Sequence, residues 1–158
     1  METTALPTGT VTFLLTDVEG STALWEEAPE AMRAALARHD VLFGAAVVSH
    51  RGVHIRPRGE GDSRFAVFAS APDAVVAAIA IQRTFAAETW PTPRPVKVRI
   101  GLHTGEAEVR NGDYYGATVN RCARIPSGAA SHSAVLPSTS VSRNVTVPVG
   151  SAAVSMLE

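Results

Sequence analysis

The sequence predicts an α+β sandwich, with helices packed on one main face of a mixed or antiparallel sheet. Three observations carry that expectation. Stretches with a two-residue hydrophobic period alternate with stretches at helical spacing, they do so without the uniform rhythm of a parallel βαβ array, and no internal repeat is present. At 158 residues, with 46% hydrophobic and 18% charged, the chain has apolar material for one core, and residues 1–158 are read as a single domain.

The elements follow in order. In Thr10-Val-Thr-Phe-Leu-Leu-Thr-Asp17-Val-Glu-Gly-Ser-Thr22, Val11, Phe13 and Leu15 share one side of a strand, and Asp17 is next in that row. Residues 30–48 place Met32, Leu36, Phe43 and Val47 at near-helical spacing, with Arg33 and Asp40 on the wet side and Gly52 as the stop. Residues 53–57 are expected to be extended. Arg58-Gly-Glu-Gly61 is a glycine-rich turn into a strand over 64–68, which puts Asp62 at a hairpin. Ser70 with Asp73 has the spacing of a capping box for a helix with Val76, Ile79 and Ala80 among its apolar members, ended by Pro91. Val96, Val98, Ile100 and Leu102 then alternate with polar residues, and Gly105 is expected to turn this strand back toward Val109. A loop over 111–116 leads to a helix over 117–125, where Asn120 and Arg124 are stacked one turn apart. Residues 134–136 read as a brief strand, and the remainder gives weak signals.

Bulk properties exclude several classes. The formal net charge is −1, from 14 basic against 15 acidic residues, so no nucleic-acid or membrane-surface partner is expected and an anionic ligand must be met locally. The lone Cys122 forms no intrachain disulfide, and neither an export signal nor a membrane-length apolar run is present. A cytoplasmic location is expected, where the Asn144-Val-Thr146 sequon carries no meaning. His39, His50, His54 and His103 lack paired ligand spacing and are read as structural or exposed.

The opening segment has the features of a metal and polyphosphate site. Asp17 ends a strand, and the small-residue turn Val18, Glu19, Gly20, Ser21 and Thr22 presents backbone N–H groups at a helix entrance, where the dipole favours phosphate. By itself this is equally a capped helix. Taken with Gly61-Asp62, Arg99-Ile-Gly-Leu-His-Thr-Gly-Glu106 and Asp113-Tyr-Tyr-Gly-Ala-Thr-Val-Asn120-Arg-Cys-Ala-Arg124, however, it resembles the catalytic domain of the class III nucleotidyl cyclases. The four motifs span most of residues 8–136 in order.

The resemblance implies a ferredoxin-like sandwich and an adenylate cyclase that converts ATP to cyclic AMP and pyrophosphate. It implies two Mg²⁺ or Mn²⁺ ions per site, held by Asp17 and Asp62 with the Val18 carbonyl as a further donor, which suits hard oxygen-loving cations. Asn120 would position the ribose, Arg124 would stabilise charge on the α-phosphate, and Asp113 would accept from the adenine amino group. The active form implied is a head-to-tail homodimer, one chain giving the metal carboxylates and the other the remaining groups.

Two departures stand out. Arg58 occupies the place of the family's base-reading lysine, and arginine's fork is no close substitute, which leaves ATP, GTP or relaxed purine use open. The family's later hairpin with a triphosphate-binding basic residue has no evident counterpart. These departures motivate an alternative of another class, a weak or inactive cyclase-homology domain that binds nucleotide or dimerises.

Overall fold

The computed structural model describes residues 5–55 and 61–116 together with the backbone of 144–147. The elements are β1 (Gly9–Val18), α1 (Ser21–Glu27), α2 (Pro29–Ser49), β2 (Val53–Ile55), β3 (Arg64–Phe68), α3 (Ala71–Ala87), β4 (Val98–Arg110), β5 (Asp113–Tyr115) and β6 (Asn144–Val147). The strands form one sheet in the order β2-β3-β1-β4-β5, with β6 also paired to β4, and every pairing is antiparallel. Of the mixed and antiparallel alternatives, the described sheet takes the second. The β2-β3-β1-β4 order with helices after β1 and β3 is the ferredoxin-like arrangement.

Strand pleating divides the side chains between two faces. Leu14, Val18, Ala66, Phe68, Val98, Ile100 and Leu102 meet α2 and α3 in the larger core, with Met32, Phe43, Ile81 and Phe85. Val11, Phe13, Ile55, Phe65, Val67 and Tyr114 form a smaller cluster on the other face. There Phe13 stacks on Phe65 with ring centroids 5.1 Å apart and meets Tyr114 edge-on at 5.2 Å. Burial raises the Tyr114 pKa to about 12, and its hydroxyl donates to the Pro7 carbonyl at 2.6 Å.

Several expectations need correction. The buried stripe of α2 is Met32, Ala35, His39, Phe43 and Val47, so Ala35 and His39 replace Leu36 at the seam. Helix α3 buries Ala74, Ala77, Ala78, Ile81 and Phe85, while Val76 is half exposed. Three alanines let the helix lie close on the sheet, and Ile81 and Phe85 supply its apolar bulk. Ser70 is the N-cap of α3 but makes no side-chain cap, and Asp73 instead receives two hydrogen bonds from Arg51.

Helix α2 ends in a Schellman turn. Arg51, not Gly52, takes the left-handed conformation at φ 62°, with Arg51 N–H on the Val48 carbonyl and Gly52 N–H on that of Val47. Gly52 is required by space, since a Cβ there would lie 2.4 Å from the Phe68 ring.

Gly105 does not turn the chain. It stays within β4 opposite Val11, and the reversal comes at Asn111 and Gly112, both at positive φ, as a two-residue hairpin requires. Residues 113–115 are therefore strand β5 rather than loop. Strand β6, along Ile100 to His103 of β4, lies in a stretch that gave only weak sequence signals. The expected helix over 117–125 and strand over 134–136 lie outside the described residues.

Candidate active site

The register of the central strands determines which charged groups meet. Strand β1 lies between β3 and β4, and its last residues pair Thr16 with Arg64 on one side and Asp17 with Arg99 on the other. Two residues beyond Thr16 is Val18, and two before Arg64 is Asp62. The Val18 N–H accordingly donates to Asp62 Oδ2 at 3.2 Å. This places one acidic side chain on the backbone of the residue next to the other.

Asp17 continues the row of Val11, Phe13 and Leu15 on the face opposite the helices. Its carboxylate is one-fifth exposed and forms an ion pair with Arg99, its cross-strand neighbour, whose guanidinium is about one-third exposed. Arg99 Nε is buried with no hydrogen-bond partner among the described residues. Arg99 was not among the candidate residues in the sequence reading. It stood inside a quoted motif, but its meeting with Asp17 depends on a register between strands some eighty positions apart.

The turn after β1 differs from a simple phosphate cradle. Of its N–H groups, that of Val18 goes to Asp62 and that of Glu19 to the Lys97 carbonyl at 2.8 Å. Gly20, in the left-handed region at φ 65°, begins α1, and its carbonyl accepts from Leu24 N–H. Glu19, Gly20 and Thr22 are exposed and Ser21 half-buried, and α1 has no side-chain cap.

Asp113 is elsewhere. It opens β5 opposite Arg110, with its Oδ1 accepting from Tyr114 N–H at 2.8 Å. Arg99 and Arg110 are eleven residues apart on β4, about 35 Å along an extended strand. Within one chain Asp113 and Asp17 therefore sit near opposite ends of the sheet. Arg58, Asn120 and Arg124 lie outside the described residues.

The donor set at the β1 end fits a hard divalent cation. Asp17, Asp62 and the Val18 carbonyl are all oxygen donors, although the described residues contain no group of three His, Cys, Asp or Glu that could hold a metal ion by themselves. Magnesium characteristically uses one or two carboxylates, with water and substrate phosphates completing its shell.

The sequence and the fold are matched by known proteins. Residues 3–147 match the family model described as the adenylate and guanylate cyclase catalytic domain. The chain belongs to that family. It is 48% identical over 119 residues to an uncharacterized protein of Mycobacterium tuberculosis, covering 75% of this chain and 39% of that relative. It is 32% identical over 144 residues to an adenylate cyclase of Podospora anserina, covering 75% of this cyclase domain but 7% of the fungal protein. The fold resembles that of a Trypanosoma brucei adenylate cyclase in its monomeric state, with a TM-score of 0.70, 28% identity, and coverage of 79% of this chain and 71% of that one. The chain thus spans well under half the length of the two relatives matched by sequence. No helix among the described residues is long and apolar enough to cross a membrane.

Proposed function

We propose that this cyclase domain converts a purine nucleoside triphosphate, ATP in preference, to the cyclic monophosphate and pyrophosphate. The observation that supports the reading is the contact of Asp62 with the Val18 amide, which brings Asp62 to the backbone of the residue after Asp17 at the end of the central strand. Asp17 and Asp62, with the Val18 carbonyl, would hold two Mg²⁺ or Mn²⁺ ions. When bound, such ions neutralise the triphosphate and assist in-line attack of the 3′-hydroxyl on the α-phosphate.

The residues of the chain then have separable tasks. Arg99 engages one oxygen of Asp17, so a cation there would compete with the ion pair, and a displaced guanidinium would be free to meet substrate anion. Asn120 would orient the ribose and Arg124 would stabilise the negative charge that builds on the α-phosphate. Gly20, Ser21 and Thr22 follow Asp17 at the entrance to α1, and their backbone would flank the phosphates. Asp113 would accept from the adenine amino group, which favours ATP, and Arg58 would act near the base.

The separation of Asp113 from Asp17 supports a shared site between two chains. Asp17 pairs with Arg99 and Asp113 with Arg110, eleven residues further along β4, a spacing that favours two chains each presenting one of the pair to a nucleotide. A head-to-tail homodimer brings the β5 end of one chain to the β1 end of the other and generates two equivalent sites.

The test is a product assay with ATP and GTP, each under Mn²⁺ and Mg²⁺, over protein concentrations that span dimerisation. Cyclic AMP and pyrophosphate from ATP are expected, with specific activity rising as the dimer forms. Triphosphate binding without turnover at every concentration would favour the nucleotide-binding module, a reading motivated by Arg58. Faster turnover of GTP would reassign the base.

A further inference from the structure

Asp62 sits in a turn, and a turn does not by itself fix a carboxylate to the few tenths of an ångström that metal binding demands. Its neighbours supply that rigidity. Arg64, the first residue of β3, is buried, and burying a guanidinium is costly unless its donors are satisfied. Nη1 donates to the carbonyls of Gly61 at 3.0 Å and Ser63 at 2.9 Å, the two residues that flank Asp62. Nε and Nη2 grip both oxygens of Asp40 at 2.7 and 2.8 Å, a bidentate pair that ties the turn to α2.

Asp40 is anchored in turn. Its Oδ1 also lies 2.9 Å from His39 Nδ1, and since a carboxylate only accepts, that nitrogen carries the proton. His39 is fully buried, stacked on Phe43 and edge-on to Phe85. A continuous set of contacts therefore runs from the helix core through His39, Asp40 and Arg64 to the carbonyls on either side of Asp62. At the far end Asp62 meets the Val18 N–H.

We infer that Asp40 and Arg64 are positioning residues for the metal-binding carboxylate Asp62, acting as a brace between helix α2 and the turn before β3. The inference rests on the proposed role of Asp62. Arginine is specified because only its fork reaches two carbonyls and a carboxylate together, so lysine would retain the charge and lose the brace. Outer-sphere partners of this kind typically alter metal affinity by 10- to 100-fold.

Two variants test it, Asp40→Asn and Arg64→Lys, each verified as folded by circular dichroism and thermal melting. Asp40→Asn conserves shape at a position with 40% side-chain exposure and is expected to fold. The readouts are Mn²⁺ affinity, measured by electron paramagnetic resonance of free Mn²⁺, and the Val18 amide resonance, which reports the Asp62 contact without any metal. Both variants should bind Mn²⁺ roughly tenfold more weakly and move the Val18 resonance toward its position in Asp62→Asn. In an Asp62→Asn background, Asp40→Asn should have no further effect on affinity. Folded variants with wild-type affinity and an unmoved Val18 resonance would overturn the brace, as would a full Asp40→Asn effect in the Asp62→Asn background. Absence of Mn²⁺ binding by the wild type would count against Asp62 as a ligand, while the Val18 resonance would still decide the brace.

Discussion

The two faces of the sheet are built from the same strands and do different work. Leu14 and Val18 of β1 point into the core under α2 and α3, whereas Val11, Phe13, Leu15 and then Asp17 point the other way. One face is covered by helices and carries most of the apolar burial. The other is sealed by Phe65 and Tyr114 and ends in the Asp17–Arg99 pair. If Asp17 has the proposed role, stability and chemistry are separated by a single step of the pleat, and substitutions on alternate residues of one strand should affect different properties.

The sharpest contrast is expected from Asp17→Asn. Loss of the proposed metal-binding carboxylate should lower product formation roughly a thousandfold, while removing a partly exposed ion pair should change stability by no more than about 1 kcal/mol. Activity assays beside thermal melts check both, and a variant that unfolds would abolish the separation. Phe43→Ala, on the helix-covered side, should do the reverse. A fully buried ring is lost there, at a cost of about 3–5 kcal/mol by denaturant unfolding.

Gly52→Ala is expected to be milder, about 1–3 kcal/mol, because the new methyl would meet the Phe68 ring and Val47 where α2 leaves the sheet. The smallest effect concerns pH. Burial holds the His39 pKa below its usual 6.5, outweighing the attraction of Asp40. The unfolded chain therefore binds this proton more readily, and stability should fall as pH drops through about 6.5 toward the folded value. His54, also lowered by burial, acts in the same direction. His39→Gln should flatten, without eliminating, the slope of melting temperature between about pH 7 and about pH 5.5.

Much of this arrangement was legible in the sequence because it rests on local periodicity. The strand at 64–68 and the long helix near 30–48 matched the observed elements almost residue for residue. Misreadings arose where a local rule had two outlets. Glycine at 105 fits a turn or a strand, and the Asn111-Gly112 pair proved the stronger turn. The periodicity of α3 admits more than one stripe, and the alanine-rich one lies on the sheet.

The candidate site was legible only in part. Motif order singled out Asp17 and Asp62, but Arg99, Asp40 and Arg64 acquire meaning through register and helix placement. His39 was read as structural or exposed and Asp40 as a wet-side residue, because the burial of the His39 ring and the pairing of Asp40 with Arg64 are set by tertiary packing.

The pairing of β1 with β4 has a consequence for biogenesis. The ion pair between them joins residues 82 positions apart, so the first strand emerges from the ribosome long before the partner that completes its hydrogen bonding. Until then the Val11 to Leu15 segment presents a bare apolar edge, and closure of so long a chain loop is intrinsically slow. The Asp17–Arg99 contact can therefore form only after β4 has been delivered to the free edge of β1.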